Sequence, residues 1–389
     1  MAGPSKAGPA LRLLRKGQVE RAAEMFKKLL QQDPSDIGCQ VGLARAQMAR
    51  KRYEDAQVLL RQVLSQIPDH GEAQSHLAFI DFQAGNAPAL DLLKRLTLSR
   101  KAGFFEFFNA GTALLQRGDD QGAMVALERA KAADQKSPQV RVALGRLHMK
   151  RGEHREAVTE LQKAVELAPS DPLPVLLLSQ AFAATGDAGH GADAVGKALL
   201  TQPQSIPLHE RMVEISLLAG WPQKAIKSAM ALRQLNRLNP NYAYMHAVAM
   251  LASGLVAEAR HILEGTLQKE PKSSAVRQAL AQVMRLSGEE QKALALLEET
   301  HQLSPGDPGV ACDLAVAYLK AGDPARAQRP LKRALEDNPG HGVLHYNLAL
   351  AQARAGDRAS AKANAAKAHE CPDLLVSELA QALLGALGG

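Results

Sequence analysis

Apolar residues in this chain recur at helical spacing, in short runs. In residues 138–171, Val142, Leu144 and Leu147 mark one face, and Val158, Leu161, Val165 and Leu167 mark the next. No stretch alternates with period two over several residues, so the pattern predicts helices and no strands. The interruptions between the runs are themselves periodic. Pro34 and Pro68 lie 34 residues apart, as do Pro169 and Pro203, and Pro271, Pro305 and Pro339. Gly118, Gly152, Gly186, Gly220, Gly254, Gly288, Gly322 and Gly356 keep the same 34-residue beat. Small residues add a third rhythm. Ala123, Ala157, Gly191, Ala225, Ala259, Ala293, Ala327 and Ala361 each follow one of those glycines by five positions, and Gly111, Gly145, Ser179, Val213, Ala247, Ala281, Ala315 and Ala349 precede them by seven.

One physical unit explains all three rhythms. A glycine supplies the positive φ that ends a first helix. Small residues on facing sides let a second, antiparallel helix approach closely. Proline ends that second helix, because it cannot donate a hydrogen bond and disfavours a helical residue before it. The best-formed unit reads Gly145, Gly152, Ala157 and Pro169, and a later one Ala315, Gly322, Ala327 and Pro339.

This pattern resembles the tetratricopeptide repeat, whose motif has a small residue at position 8, Gly near 15, Ala at 20 and Pro at 32. Repeats in phase start at residues 3, 37, 71, 104, 138, 172, 206, 240, 274, 308 and 342. The resemblance implies an all-α, right-handed α-solenoid of about eleven helix-turn-helix repeats. Departures from the motif fall at definite places. The bulky aromatic of position 4 is supplied only by Phe107. The first repeat has Pro4, Gly8 and Pro9 in its first helix. The third is one residue short, lacks the closing proline and has Leu90 where alanine belongs. The expected organisation is an N-terminal segment over 1–103, a regular array over 104–372 and a C-terminal capping helix over 373–389. The weak third repeat is a candidate hinge. In the capping helix Asp373 is the expected N-cap, and Leu374, Leu375, Leu379, Leu383 and Leu384 are expected on one buried face, since a solenoid must close its last apolar surface.

In this family the first helix of each repeat lines a groove, near positions 2, 5, 9, 12 and 13. Carried onto this sequence, those positions are apolar. They include Val41, Phe79, Phe82, Phe105, Phe108, Leu115, Val142, Met149, Leu173, Leu176, Leu217, Leu218, Tyr244 and Tyr346. An apolar strip on a solenoid surface points to a peptide or amphipathic helix as guest. Six of the eight phenylalanines fall between Phe79 and Phe108. Helical spacing lets Phe104 and Phe107 face the core while Phe105 and Phe108 face the groove. Such a cluster is either an interface hot spot or the filling of the irregular third repeat. The lysine and asparagine pair with which some family members hold a chaperone's C-terminal carboxylate is absent, since no repeat has Lys at position 5 with Asn at 9.

Composition narrows the remaining classes. With 46% hydrophobic and 22% charged residues the chain can bury a core. At 4% aromatic that core must be alanine, leucine and valine. Three scattered cysteines cannot form a disulfide framework and suit a reducing, cytoplasmic setting. Met1 to Lys16 lacks a signal-peptide apolar core, and no segment has the character of a membrane span. The net charge is +7, and the first 70 residues hold 12 Lys and Arg against 7 Asp and Glu. That basic excess leaves a nucleic-acid or regulatory binder as the alternative to a protein scaffold. RNA reading by helical repeats needs polar residues at fixed positions, however, and the groove here is apolar. No phosphate-cradling loop, nucleophile elbow or metal-ligand spacing appears. His341, His345, His369 and Cys371 are read as polarity at helix ends, and Trp221 after Gly220 as a seal between repeats. The expectation is a bacterial, non-catalytic scaffold or adaptor with no cofactor and no metal. It captures a protein or peptide partner, in the assembly of an envelope, secretion or motility machine, and self-association through the same strip is open.

Overall fold

A computed structural model describes residues 7–15 and 17–388. Among them are 23 helices and no strand, and within each unit successive helices pack as pairs, the arrangement of an α-solenoid. Pro4 and the side chain of Leu374 lie outside the described residues. No described helix is long and apolar enough to cross a membrane. The chain gathers into two compact units, Met1–Ala219 and Gly220–Gly389.

Within each unit the helices pair as the small residues require. In the first unit, a Cβ on Gly111 would meet Leu127 Cγ at 2.8 Å, and one on Gly145 would meet Leu161 Cγ at 2.5 Å. In the second unit alanine serves: Ala247 with Leu263, Ala281 with Leu297 and Ala315 with Leu331 are all buried. Each Leu is fixed because its partner leaves room for one side chain and no more. Emptying such a site costs about 2–5 kcal/mol.

The turns follow the same rule. Gly118, Gly152, Gly186, Gly220, Gly254, Gly288, Gly322 and Gly356 all have positive φ, and Gly17 and Gly85 extend the series toward the N-terminus. In the second repeat this position is Lys51, with φ of 59°, the sole non-glycine with positive φ among the described residues.

The third repeat corrects the sequence reading. Its missing residue lies in the turn, so Ala89 rather than Leu90 takes the small-residue position. Ala89 is buried and followed by buried Leu93, the same four-residue step as Ala123 to Leu127. Leu90 is half-buried against the neighbouring clusters. The second helix, Pro88–Leu96, is short, and Glu106 closes the next helix start by accepting from the Gly103 N–H at 3.0 Å.

A second correction concerns position 4, where the family's aromatic is mostly missing. In five repeats a hydrogen-bond donor there serves the backbone. Gln40, Gln74, His209, Arg277 and His345 each reach the carbonyl of the proline six residues earlier, at 2.7, 2.8, 3.0, 2.8 and 2.9 Å. That carbonyl sits past a helix end with no helical partner. The donor therefore ties one repeat's exit to the next repeat's entry.

The final helix, Leu374–Gly388, is capped as expected: Asp373 Oδ1 accepts from the N–H groups of Leu375 and Val376. Its buried face, however, is Val376, Ala380 and Leu387, while Leu375 and Leu379 are exposed. The cap fixes the helical phase, and that phase turns the 376–380–387 face onto Arg358–His369.

The turn geometry makes a prediction that needs no packing term. Nothing lies within 4 Å of a Cβ built on Gly152, so Gly152→Ala should lose about 1 kcal/mol from the left-handed backbone alone. Lys51→Gly should gain a similar amount. Urea unfolding followed by circular dichroism measures both, and equal stability of all three proteins would remove the claim.

Candidate functional site

The first helices of the fourth, fifth and sixth repeats, Phe104–Arg117, Pro138–Lys150 and Pro172–Ala184, enclose a cleft of about 430 Å³. Its floor is Phe108, Leu115, Val142 and Leu173. Its rim is Thr112, Gln116, Gln139, Arg146, Lys150 and Asp171. Pro138, at the first position of its helix, forms part of the wall. Asp171 caps the third helix by accepting from the Leu173 N–H at 3.0 Å, and Leu173, at the outer edge of the floor, is 46% exposed.

The rim groups differ in their freedom. Lys150 holds Asp120 at 2.6 Å. Gln116 accepts from Gln83 at 2.7 Å, Gln139 accepts from Ser137 at 3.0 Å, and the Thr112 hydroxyl donates to the Phe108 carbonyl. Arg146 has no hydrogen-bond or ion-pair partner among the described residues and is exposed. The cleft thus offers an apolar floor with one uncommitted guanidinium above it.

Of the residues expected to form a groove, Phe108, Leu115, Val142 and Leu173 come together here. The others stand elsewhere. Phe79 and Phe82 are half-buried against Ala78, Leu93, Ala110 and Ala113. Met149 packs toward Leu161 and Leu178. Leu176 and Leu217 are half-buried, and Leu218 is 65% exposed. Tyr244 packs toward Leu263 and Leu280, and Tyr346 toward the final helix. Val41 is buried with Leu60 and Ile80, so it is a core residue rather than a groove one. Trp221 is half-buried, with the Lys224 ammonium 3.9 Å from its ring centre. Arg146, Lys150 and Gln139 went unnamed in the sequence reading, although they occupy its groove positions 9, 13 and 2. Attention to apolar residues alone passes over them.

The phenylalanine run also departs from its expected division. Phe107 is buried, with the Arg129 guanidinium 4.1 Å from its ring centre. Phe104 is half-buried and packs against the same cluster as Phe107. Its ring stacks on Phe108 with centroids 5.6 Å apart and meets Phe105 edge-on at 4.9 Å. Phe105 in turn lies between His76, at 4.9 Å, and the Arg45 guanidinium, at 4.3 Å. The aromatic patch beside the cleft is therefore anchored on earlier repeats.

That anchor is a buried polar cluster. His76 is buried, and its Nδ1 accepts from Asn109 Nδ2 at 3.1 Å, which leaves its hydrogen on Nε2, 3.6 Å from Glu72 Oε1. Asn109 also donates to Ser75, whose hydroxyl reaches the Phe105 carbonyl. Burial pushes the His76 pKa below its ordinary 6.5, against an opposing pull from Glu72. The Glu72 carboxyl stays below its usual range, because contacts with His76 and Arg45 outweigh its desolvation.

Comparison with known proteins agrees with the helix pairing. Tetratricopeptide repeat descriptions match residues 13–78, 48–101, 114–181, 250–300 and 284–329 in one form, and 312–373 in another. Cellulose synthase operon protein C of Pseudomonas fluorescens is 25% identical over 212 residues, which is 52% of this chain and 16% of that protein. Among solved structures, yeast Tom70 aligns with a TM-score of 0.54 at 12% identity, covering 98% of this chain and 94% of Tom70. A tetratricopeptide repeat protein from Parabacteroides merdae aligns with a TM-score of 0.46 at 16% identity, covering 64% and 99%.

The His76 cluster predicts a pH dependence. A histidine held neutral in the fold binds fewer protons than in the unfolded chain, so its contribution is present above pH 6.5 and lost as pH falls below it. His76→Asn should therefore flatten the decline in stability between about pH 7 and 5. Urea midpoints measured across that range test this, and an unchanged slope in the variant would rule His76 out as a source.

Proposed function

Because this chain belongs to the tetratricopeptide repeat family, a family of protein-interaction scaffolds, we propose that it captures an amphipathic helix or extended peptide of a partner protein in the Phe108–Leu115–Val142–Leu173 cleft. The observation that carries this reading is an apolar floor built by three successive first helices beneath an unpaired arginine. A guest with apolar anchors would cover the floor, and an acidic side chain near them would meet Arg146. The cleft is held open by helix packing, so the protein loses little conformational freedom on binding.

In its finer form the proposal places the scaffold in assembly of a bacterial envelope machine. What supports this is the partial match to a protein named for a cellulose synthase operon, although the chain spans only 16% of that relative. The three scattered cysteines, Cys39, Cys312 and Cys371, suit the reducing cytoplasm as its setting.

A photo-crosslinking residue at exposed position 173 should trap the partner, and a peptide from the trapped segment should bind the full chain directly. Leu115→Ser and Arg146→Glu should each weaken that peptide at least tenfold without loss of helical signal. The Leu115 effect should persist at high salt, since apolar burial is not screened. Binding that falls steeply with salt and ignores Leu115→Ser would favour a nucleic-acid or other charged guest instead.

A further inference from the structure

The second unit contains a pocket of a different character. It measures about 380 Å³ and is lined by Met230, Arg233, Gln234, Arg237, His246 and Lys269. These residues come from the end of Pro222–Leu235 and the turn after it, from Pro240–Ala252, and from the end of Val256–Lys269. Three of the six carry fixed positive charge and none is acidic.

The charges are uncompensated. Among the described residues, Arg237 and Lys269 make no hydrogen bond or ion pair. Arg233 Nη1 donates to His246 Nδ1 at 3.1 Å and has no carboxylate partner. Nearby arginines of the same unit are satisfied: Arg260 holds Glu264 and Glu289, and Arg277 holds Glu299. Three like charges brought around one cavity repel, and an anion bound among them relieves that repulsion.

His246 fixes the geometry of the strongest donor. It is buried, and burial together with the Arg233 charge lowers its pKa to about 4, so it is neutral near pH 7. A neutral ring with Nδ1 as acceptor orients the Arg233 fork and leaves the remaining guanidinium N–H groups for another acceptor. Its Nε2 is buried without a partner among the described residues. The corresponding positions one repeat later are Leu267, Pro271, Leu280 and Leu303, so the cluster belongs to this repeat and not to the motif.

We propose that this pocket is an oxyanion site that takes a phosphoryl group. Two planar guanidinium forks, from one helix end and the turn after it, and an ammonium from the end of another helix suit a tetrahedral anion with several charged oxygens better than a flat, singly charged carboxylate. The volume exceeds what one phosphate fills, so the group can arrive free or as part of a larger phosphate. The site shares no residue with the cleft and stands or falls independently of it.

The test titrates the full chain with sodium phosphate and, separately, with sodium pyrophosphate, at ionic strength held constant with sodium chloride. Histidine ring resonances are followed by NMR, with His246 assigned through His246→Gln. The expected result is a saturable one-site shift of His246 that the double variant Arg237→Met/Lys269→Met weakens at least tenfold while its circular dichroism is unchanged. Both substituted residues are exposed, so the fold does not depend on them. Saturation by both anions marks free phosphate as sufficient, and saturation by pyrophosphate alone marks a larger phosphate; either supports the site. A shift that chloride reproduces, one that survives in the double variant, or no saturable shift with either anion overturns it.

Discussion

One contact recurs through the architecture: in most repeats a small residue on the first helix of a pair stands against a leucine sixteen positions later on the second. Gly111 with Leu127 and Gly145 with Leu161 are its tightest forms, and Ala281 with Leu297 its looser one. The contact sets the spacing between helices, and the spacing decides which side chains reach the core. A repeat with few aromatics can still be well packed, because close backbones need only leucine and alanine to fill the space between them. Positive-φ turns and proline exits serve that contact by delivering the second helix to it at the right phase.

Much of this was legible in the sequence, because the contact imposes a period and a period survives substitution at single positions. The turn glycines, the small residues and the N-cap at Asp373 all stand where the rhythm puts them. What the rhythm hides is any residue that fills a position by another means. Lys51 occupies a glycine position by accepting a strained backbone. Ala89 replaces Leu90 because a deletion inside a turn shifts the helix that follows by one residue without disturbing its contacts. The donors at position 4 look like a defect when aromatic bulk is sought. They make sense once the carbonyl of the preceding proline is counted as a group needing a partner.

The candidate site was legible in part. Register alone placed Phe108, Leu115, Val142 and Leu173 on the first helices, and the cleft brings those four together. Register could not separate half-buried from buried. Val41 has the same phase as Val142 yet lies in the core, because the packing around the second repeat closes over it. Nor could register show that Phe104, packed against the core, also stacks on Phe108, since that contact depends on side-chain geometry. Arg146 was visible at its position and uninformative there, because an arginine matters at a rim only when nothing nearby pairs with it.

The cleft and the cationic pocket show two ways in which one repeat can differ from its neighbours. In the cleft, ordinary groove positions take apolar residues in three consecutive repeats, and the floor follows from the repetition itself. In the pocket, residues outside the motif collect around the ends of two successive second helices and the first helix between them, and the next repeat does not copy them. A periodic surface suits an extended guest that meets equivalent positions in turn. A singular cluster suits a compact ligand that needs several charges at one point. The periodic contact that holds the helices together leaves both kinds of position free to vary, because neither the groove side chains nor the ends of the second helices take part in it.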